Sequence, residues 1–123
     1  MKKTLSCLLL ALIAISCQKS SDVSVVGRYK ARFEIKGICS NYTFSIVEGN
    51  INPKWVEAEW TDPQTDITYK NAFAMQNPCW LPSGIKEGDE FYIEVLTPSP
   101  ANCMVCLAYY PTPKKSLSFR VIE

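Results

Sequence analysis

The sequence predicts an all-β domain, a small antiparallel barrel with a β-sandwich as the alternative, and three observations carry that expectation. From residue 25 onward, apolar and polar residues alternate with a period of two through most of the chain. Gly, Pro, Asn and Asp punctuate the alternation about every ten residues, which sets off six or seven short strands. Almost every strand pairs one apolar face with one polar face, the pattern of antiparallel sheets around a shared core.

The first strand is "GRYKARFEIKG", residues 27–37, with Tyr29, Ala31, Phe33 and Ile35 on one face and Arg28, Lys30, Arg32, Glu34 and Lys36 on the other. In the second, "NYTFSIVEG", Tyr42, Phe44 and Ile46 point inward against Asn41, Thr43 and Ser45, and Gly49-Asn50 marks the turn that ends it. "KWVEAEW" places Val56, Ala58 and Trp60 opposite Trp55, Glu57 and Glu59, and Pro63 pre-sets the bend in "TDPQTD". "ITYKNAFAM" reads as a fourth strand through Ile67, Tyr69 and Phe73, although "NAFAMQ" also suits a short helix. Residues 77–88, with two prolines and two glycines, form an irregular stretch. "DEFYIEVL" alternates Phe91, Ile93 and Val95 against Tyr92 and Glu94. "CMVCLAYY" reads as a further strand, and "SLSFRVI" closes the chain with Leu117, Phe119 and Val121 inward. An OB-like barrel fits this order if "NAFAMQNPCWLP" supplies the short helix between strands; a six- or seven-strand sandwich fits it otherwise.

Ahead of the domain stands "MKKTLSCLLLALIAISCQKSSD". Lys2 and Lys3 precede an apolar run from Leu5 to Ile15, too short for the roughly 20 residues that span a bilayer. Small Ser16 precedes Cys17, and the polar "QKSSDVS" that follows suits a flexible tether. The run of charge, apolar segment, small residue and cysteine resembles the leaders of bacterial lipoproteins of the Bacteroidota type, with Ala14 where the usual motif has Leu. The resemblance implies that residues 1–16 are a signal peptide, that Cys17 carries lipid, and that 17–24 tether a single domain of residues 25–123. It implies a protein of the cell envelope, anchored in the outer membrane because Gln18 is not the Asp that retains lipoproteins at the inner one, and facing the periplasm or the surface.

Taking Lys2 and Lys3 from the 13 basic residues leaves 11 against 12 acidic ones, a balance unsuited to neutralising many phosphates, so nucleic acid is excluded as a partner. The chain contains no His, the commonest general base and metal ligand. Four cysteines remain in the domain, Cys39, Cys79, Cys103 and Cys106, which outside the cytoplasm predict two disulfides of open connectivity. On a regular strand Cys103 and Cys106 would point to opposite faces about 10 Å apart, too far to bridge each other.

The chemical motifs are weak. "CMVC" matches a thiol–disulfide redox site, but a β-branched and aromatic run follows it where such a site has a helix. A four-cysteine zinc site would show a second closely spaced pair, so no metal and no other cofactor is expected. "NYT" at Asn41 matches a glycosylation triplet that a bacterial protein would leave unmodified. Of the acids Glu57, Glu59 and Asp62, Glu57 and Glu59 lie about 7 Å apart on one strand face and suit paired carboxylates, but the group reads as a wet surface. The aromatics exceed what one inward row holds. Trp55, Trp80, Tyr109 and Tyr110 are candidate ligand contacts, for a protein or a glycan. The expected function is therefore a non-enzymatic binding module, with an enzyme or redox accessory using Cys103 and Cys106 as the alternative.

Overall fold

The alternating faces read from the sequence become a ring of hydrogen-bonded strands. The computed structural model describes residues 22–100 and 103–122; the leader and Cys17 lie outside them. Six strands follow in order: β1 (Ser24–Lys36), β2 (Tyr42–Glu48), β3 (Glu57–Thr61), β4 (Thr68–Met75), β5 (Glu90–Thr97) and β6 (Ser116–Ile122). β1 pairs antiparallel with β2 on one edge and β5 on the other, and β5 pairs with β6. β4 joins β6 in parallel and β2 antiparallel, which closes the ring, while β3 hangs on β4 as a hairpin arm. Three register shifts along β1, at Val25/Gly27, Lys30/Ala31 and Phe33/Ile35, bend this long strand around the core so that one strand serves two neighbours.

The interior is aromatic. Phe33, Phe44, Phe73 and Phe119 are fully buried, and Phe91 packs against them. Phe44 stacks on Phe33 at 4.7 Å and on Phe73 at 5.8 Å, and meets Phe119 and Phe91 edge-on at 5.0 and 6.2 Å. Such offset and T-shaped pairs add about 0.5–1.5 kcal/mol each beyond their burial. Residues 78–85 enter against one end of this core, where Leu81 and Ile85 line a cleft with Phe33 and Tyr42. Asn77 fixes that segment by donating to the Phe119 carbonyl (2.8 Å) and accepting from its N–H (3.0 Å).

The outer face of β1, β5 and β6 is an ionic ladder. Register places Arg28 opposite Glu94 and Glu94 opposite Arg120. Arg28 Nη2 lies 2.7 Å from Glu94 Oε1, and Arg120 Nε donates to Oε2 at 2.6 Å, leaving the Glu94 side chain 4% exposed. Arg32 pairs with Glu90 four residues further along β1. The hydrogen bond from Arg120, followed by the charges of Arg120 and Arg28, holds the Glu94 carboxyl below its ordinary range against the opposing pull of burial.

Several expectations are corrected. The sheet is mixed, because β4 and β6 run parallel. "NAFAM" is strand throughout, and the only helical turns among the described residues are the single 3₁₀ turns Ile38–Ser40 and Pro78–Trp80. Residues 103–110, read as a strand, form none, and the six strands are the lower of the six or seven expected. Ala58 and Ile67, assigned inward, are exposed: β3 pairs only with β4, outside the ring, and Ile67 lies in the turn ahead of β4. Thr43 and Ser45, assigned outward, are buried, and the Ser45 hydroxyl donates to Glu34 on the neighbouring strand.

Two outcomes follow from this packing. Phe44→Ala should destabilise the oxidised domain by about 3–5 kcal/mol in urea titrations. Glu94→Gln should lower stability at neutral pH. A carboxyl with a depressed folded pKa stabilises above its unfolded value of about 4.3 and loses that contribution as pH falls through the folded value. The gap in urea midpoint between wild type and Glu94→Gln should therefore narrow as pH drops below about 4.3.

Candidate functional site

The segment between β5 and β6 carries the most unusual surface, and its cysteines explain its path. Cys106 bridges Cys39, which lies in the β1–β2 corner, and Cys103 bridges Cys79 on the 3₁₀ turn after β4, with Cα separations of 4.9 and 5.9 Å. Cys103 and Cys106 each take a separate partner, although the regular strand on which the spacing argument rested is absent. From Cys106 the chain is fastened at successive points. The Asn41 amide donates to the Ala108 carbonyl (2.9 Å), the Tyr110 hydroxyl to Asp62 Oδ2 (3.1 Å), the Lys114 N–H to Glu57 (3.2 Å), and the Ala74 N–H to the Lys115 carbonyl (2.8 Å). Asn41 immediately precedes β2, Glu57 opens β3 and Asp62 follows it, so these tie points lie on opposite sides of β4. The segment is a strap that runs from the β2 side of β4 to its β3 side.

This geometry also explains why "CMVCLAYY" is not a strand. Both edges of β4 are already paired, with β2 on one side and β3 and β6 on the other. A crossing segment has no free ladder to join, and Pro111 and Pro113 lack the N–H that pairing requires.

Between its fastenings the strap presents apolar side chains to solvent: Met104 is 99% exposed, Leu107 100% and Tyr109 80%. Ile38 and Trp80, each next to a bridged cysteine, are exposed as well. The four candidate contacts are thus not gathered in one place. Trp80 and Tyr109 belong to this bridged surface. Tyr110 is half-buried, and its hydroxyl is shifted upward by burial and then by its hydrogen bond to Asp62, which makes it a fastening. Trp55 packs against the core and lines a separate cavity of about 260 Å³ beside Gln76, Ser99 and Ser118.

Asp62 was legible only as one of several surface acids, yet it is almost fully buried. It accepts from the Gln64 N–H (2.8 Å) and the Thr65 hydroxyl (3.2 Å) as well as from Tyr110. Its signal was the Asp-Pro turn at Asp62-Pro63, where an Asp side chain caps its own bend. Glu57 is held to the strap, and no group of His, Cys, Asp and Glu suited to a metal occurs among the described residues.

Non-reducing peptide mapping should recover Cys39 linked to Cys106 and Cys79 linked to Cys103. The two bridges close loops of 67 and 24 residues. Chain entropy assigns them about 4 and about 3 kcal/mol, so replacing the first pair by Ala should lower the urea midpoint further than replacing the second. Compared with protein-family models, curated proteins and solved structures, the chain matches none of them.

Proposed function

We propose that this chain is a lipid-anchored protein of the cell envelope whose β-domain is a non-enzymatic interaction module that grips a protein partner with the strap. The observation that carries the reading is the full exposure of Met104 and Leu107, with Tyr109 beside them, on a segment bridged to the body at Cys103 and Cys106. Apolar side chains held out in water are unfavourable unless something covers them, and Met and Tyr are enriched where proteins meet. Holding the strap in place before contact lowers the ordering cost of binding. An OB-like barrel is the architecture proposed for the body. Its support is the strand order, a closed circuit of β1, β2, β4, β6 and β5 with one parallel pair, and the entry of residues 78–85 against the core where such barrels carry their helix. The anchor rests on the leader's resemblance to lipoproteins and on Cys17. The redox alternative is disfavoured by the separate partners of Cys103 and Cys106.

Two arms test this in intact cells carrying the full chain. Cys17→Ser should abolish incorporation of labelled fatty acid and release the protein from the membrane fraction; unchanged labelling and fractionation would remove the anchor. A photo-crosslinking residue at Leu107 should give a discrete protein adduct, and one at exposed Gln64 should not. Joint Met104→Ser and Tyr109→Ser substitution should suppress the Leu107 adduct while changing stability by no more than about 0.5 kcal/mol. Equal labelling from both positions would overturn the strap as a contact surface.

A further inference from the structure

The cavity beside Trp55 is carried by observations separate from the strap. It measures about 260 Å³, and none of its ten lining residues ionises, in a chain of which 20% is charged. Its walls divide into two kinds. Trp55, Leu96 and Leu117 supply an aromatic and aliphatic surface, and Gln76, Ser99 and Ser118 supply a polar cluster. Ser118 Oγ lies 2.6 Å from Ser99 Oγ and 3.3 Å from Gln76 Oε1. A serine hydroxyl has a single proton, so Ser118 donates to one of the two at a time. The Gln76 amide N–H groups have no acceptor among the described residues, and the Ser99 hydroxyl, which accepts from Ser118, finds only a long contact of 3.4 Å to the Pro100 carbonyl for its own proton.

From this arrangement we infer a binding site for one neutral sugar ring, of the hexose or N-acetylhexosamine class. A sugar ring has an apolar C–H face that packs on an indole, and hydroxyls that both donate and accept. Ser99, Ser118 and Gln76 offer matching groups whose roles can exchange. A charged ligand finds no opposite charge in the lining, and its desolvation would go uncompensated. A purely apolar ligand would leave the Gln76 and Ser99 donors covered and unpaired. The volume falls just below the roughly 300 Å³ at which drug-sized pockets begin, which suits a single ring or the terminal unit of a chain. None of residues 103–114 lines the cavity, so this site stands or falls apart from the strap.

The test uses the full chain with Trp60→Phe and Trp80→Phe, so that Trp55 is the only indole. Glucose, galactose, mannose and N-acetylglucosamine are titrated while Trp55 emission is followed, with glucuronate as the charged control. At least one neutral sugar should give a saturable change with an affinity of about millimolar order. Gln76→Leu with Ser99→Ala should weaken it about tenfold or more, through the loss of two hydrogen bonds to the sugar, while the variant still unfolds in one cooperative thermal transition. Absence of saturation with all four sugars would overturn the site. So would binding that survives the double substitution, or equal binding of glucuronate.

Discussion

The ring depends on Phe44. The chain has five phenylalanines, and each strand of the ring contributes one: Phe33 from β1, Phe44 from β2, Phe73 from β4, Phe91 from β5 and Phe119 from β6. The other four all meet the ring of Phe44. A single side chain therefore links every strand of the circuit, and the β2–β4 contact that closes it puts Phe44 directly opposite Phe73. Large rings at the centre supply the burial that a domain of this size needs, and their edge-to-face geometry makes one arrangement of strands better than its neighbours.

Around that centre the two outer surfaces do different work. On β1, β5 and β6 Glu94 is matched by Arg28 and Arg120 and Glu90 by Arg32, so the charges of this face neutralise one another. On β2 and β4 the outward Thr43, Ser45 and Ala72 are small or hydroxylated and buried, and the strap is fastened on either side of β4. Cross-strand ion pairs at an exposed sheet surface contribute little each, whereas two bridges and a buried Asp62 hold the strap at fixed points. The molecule thus has one rigid, charged side and one side where apolar groups are held out from a covalently fastened loop.

Much of the framework was legible because a strand's side chains alternate strictly. The inward positions Ala31, Phe33, Phe44, Ile46, Phe73, Ile93, Val95, Leu117 and Phe119 are all buried. The misassigned residues obey the local pattern and depart from it through their place in the fold. Ala58 sits on a strand outside the ring and Ile67 in the turn beside it, where no core reaches them. Thr43 and Ser45 alternate correctly too, but the outer face they occupy is buried. Residues 103–110 have the composition of a strand and no edge to pair with. The cavity was half legible: Trp55 stood out, while Gln76, Ser99 and Ser118 are common surface residues that carry no signal until they converge.

Local sequence was enough to determine that the chain folds as strands and which face of most of them is apolar, because backbone geometry sets the period of side chains over a few residues. Only the tertiary structure decided which strands are neighbours, that β4 and β6 run parallel, which cysteines meet, and that the last loop is a strap. Those outcomes depend on contacts between residues as far apart as Cys39 and Cys106. Pairings at that distance are chosen by the packing of the whole core, which no local window contains.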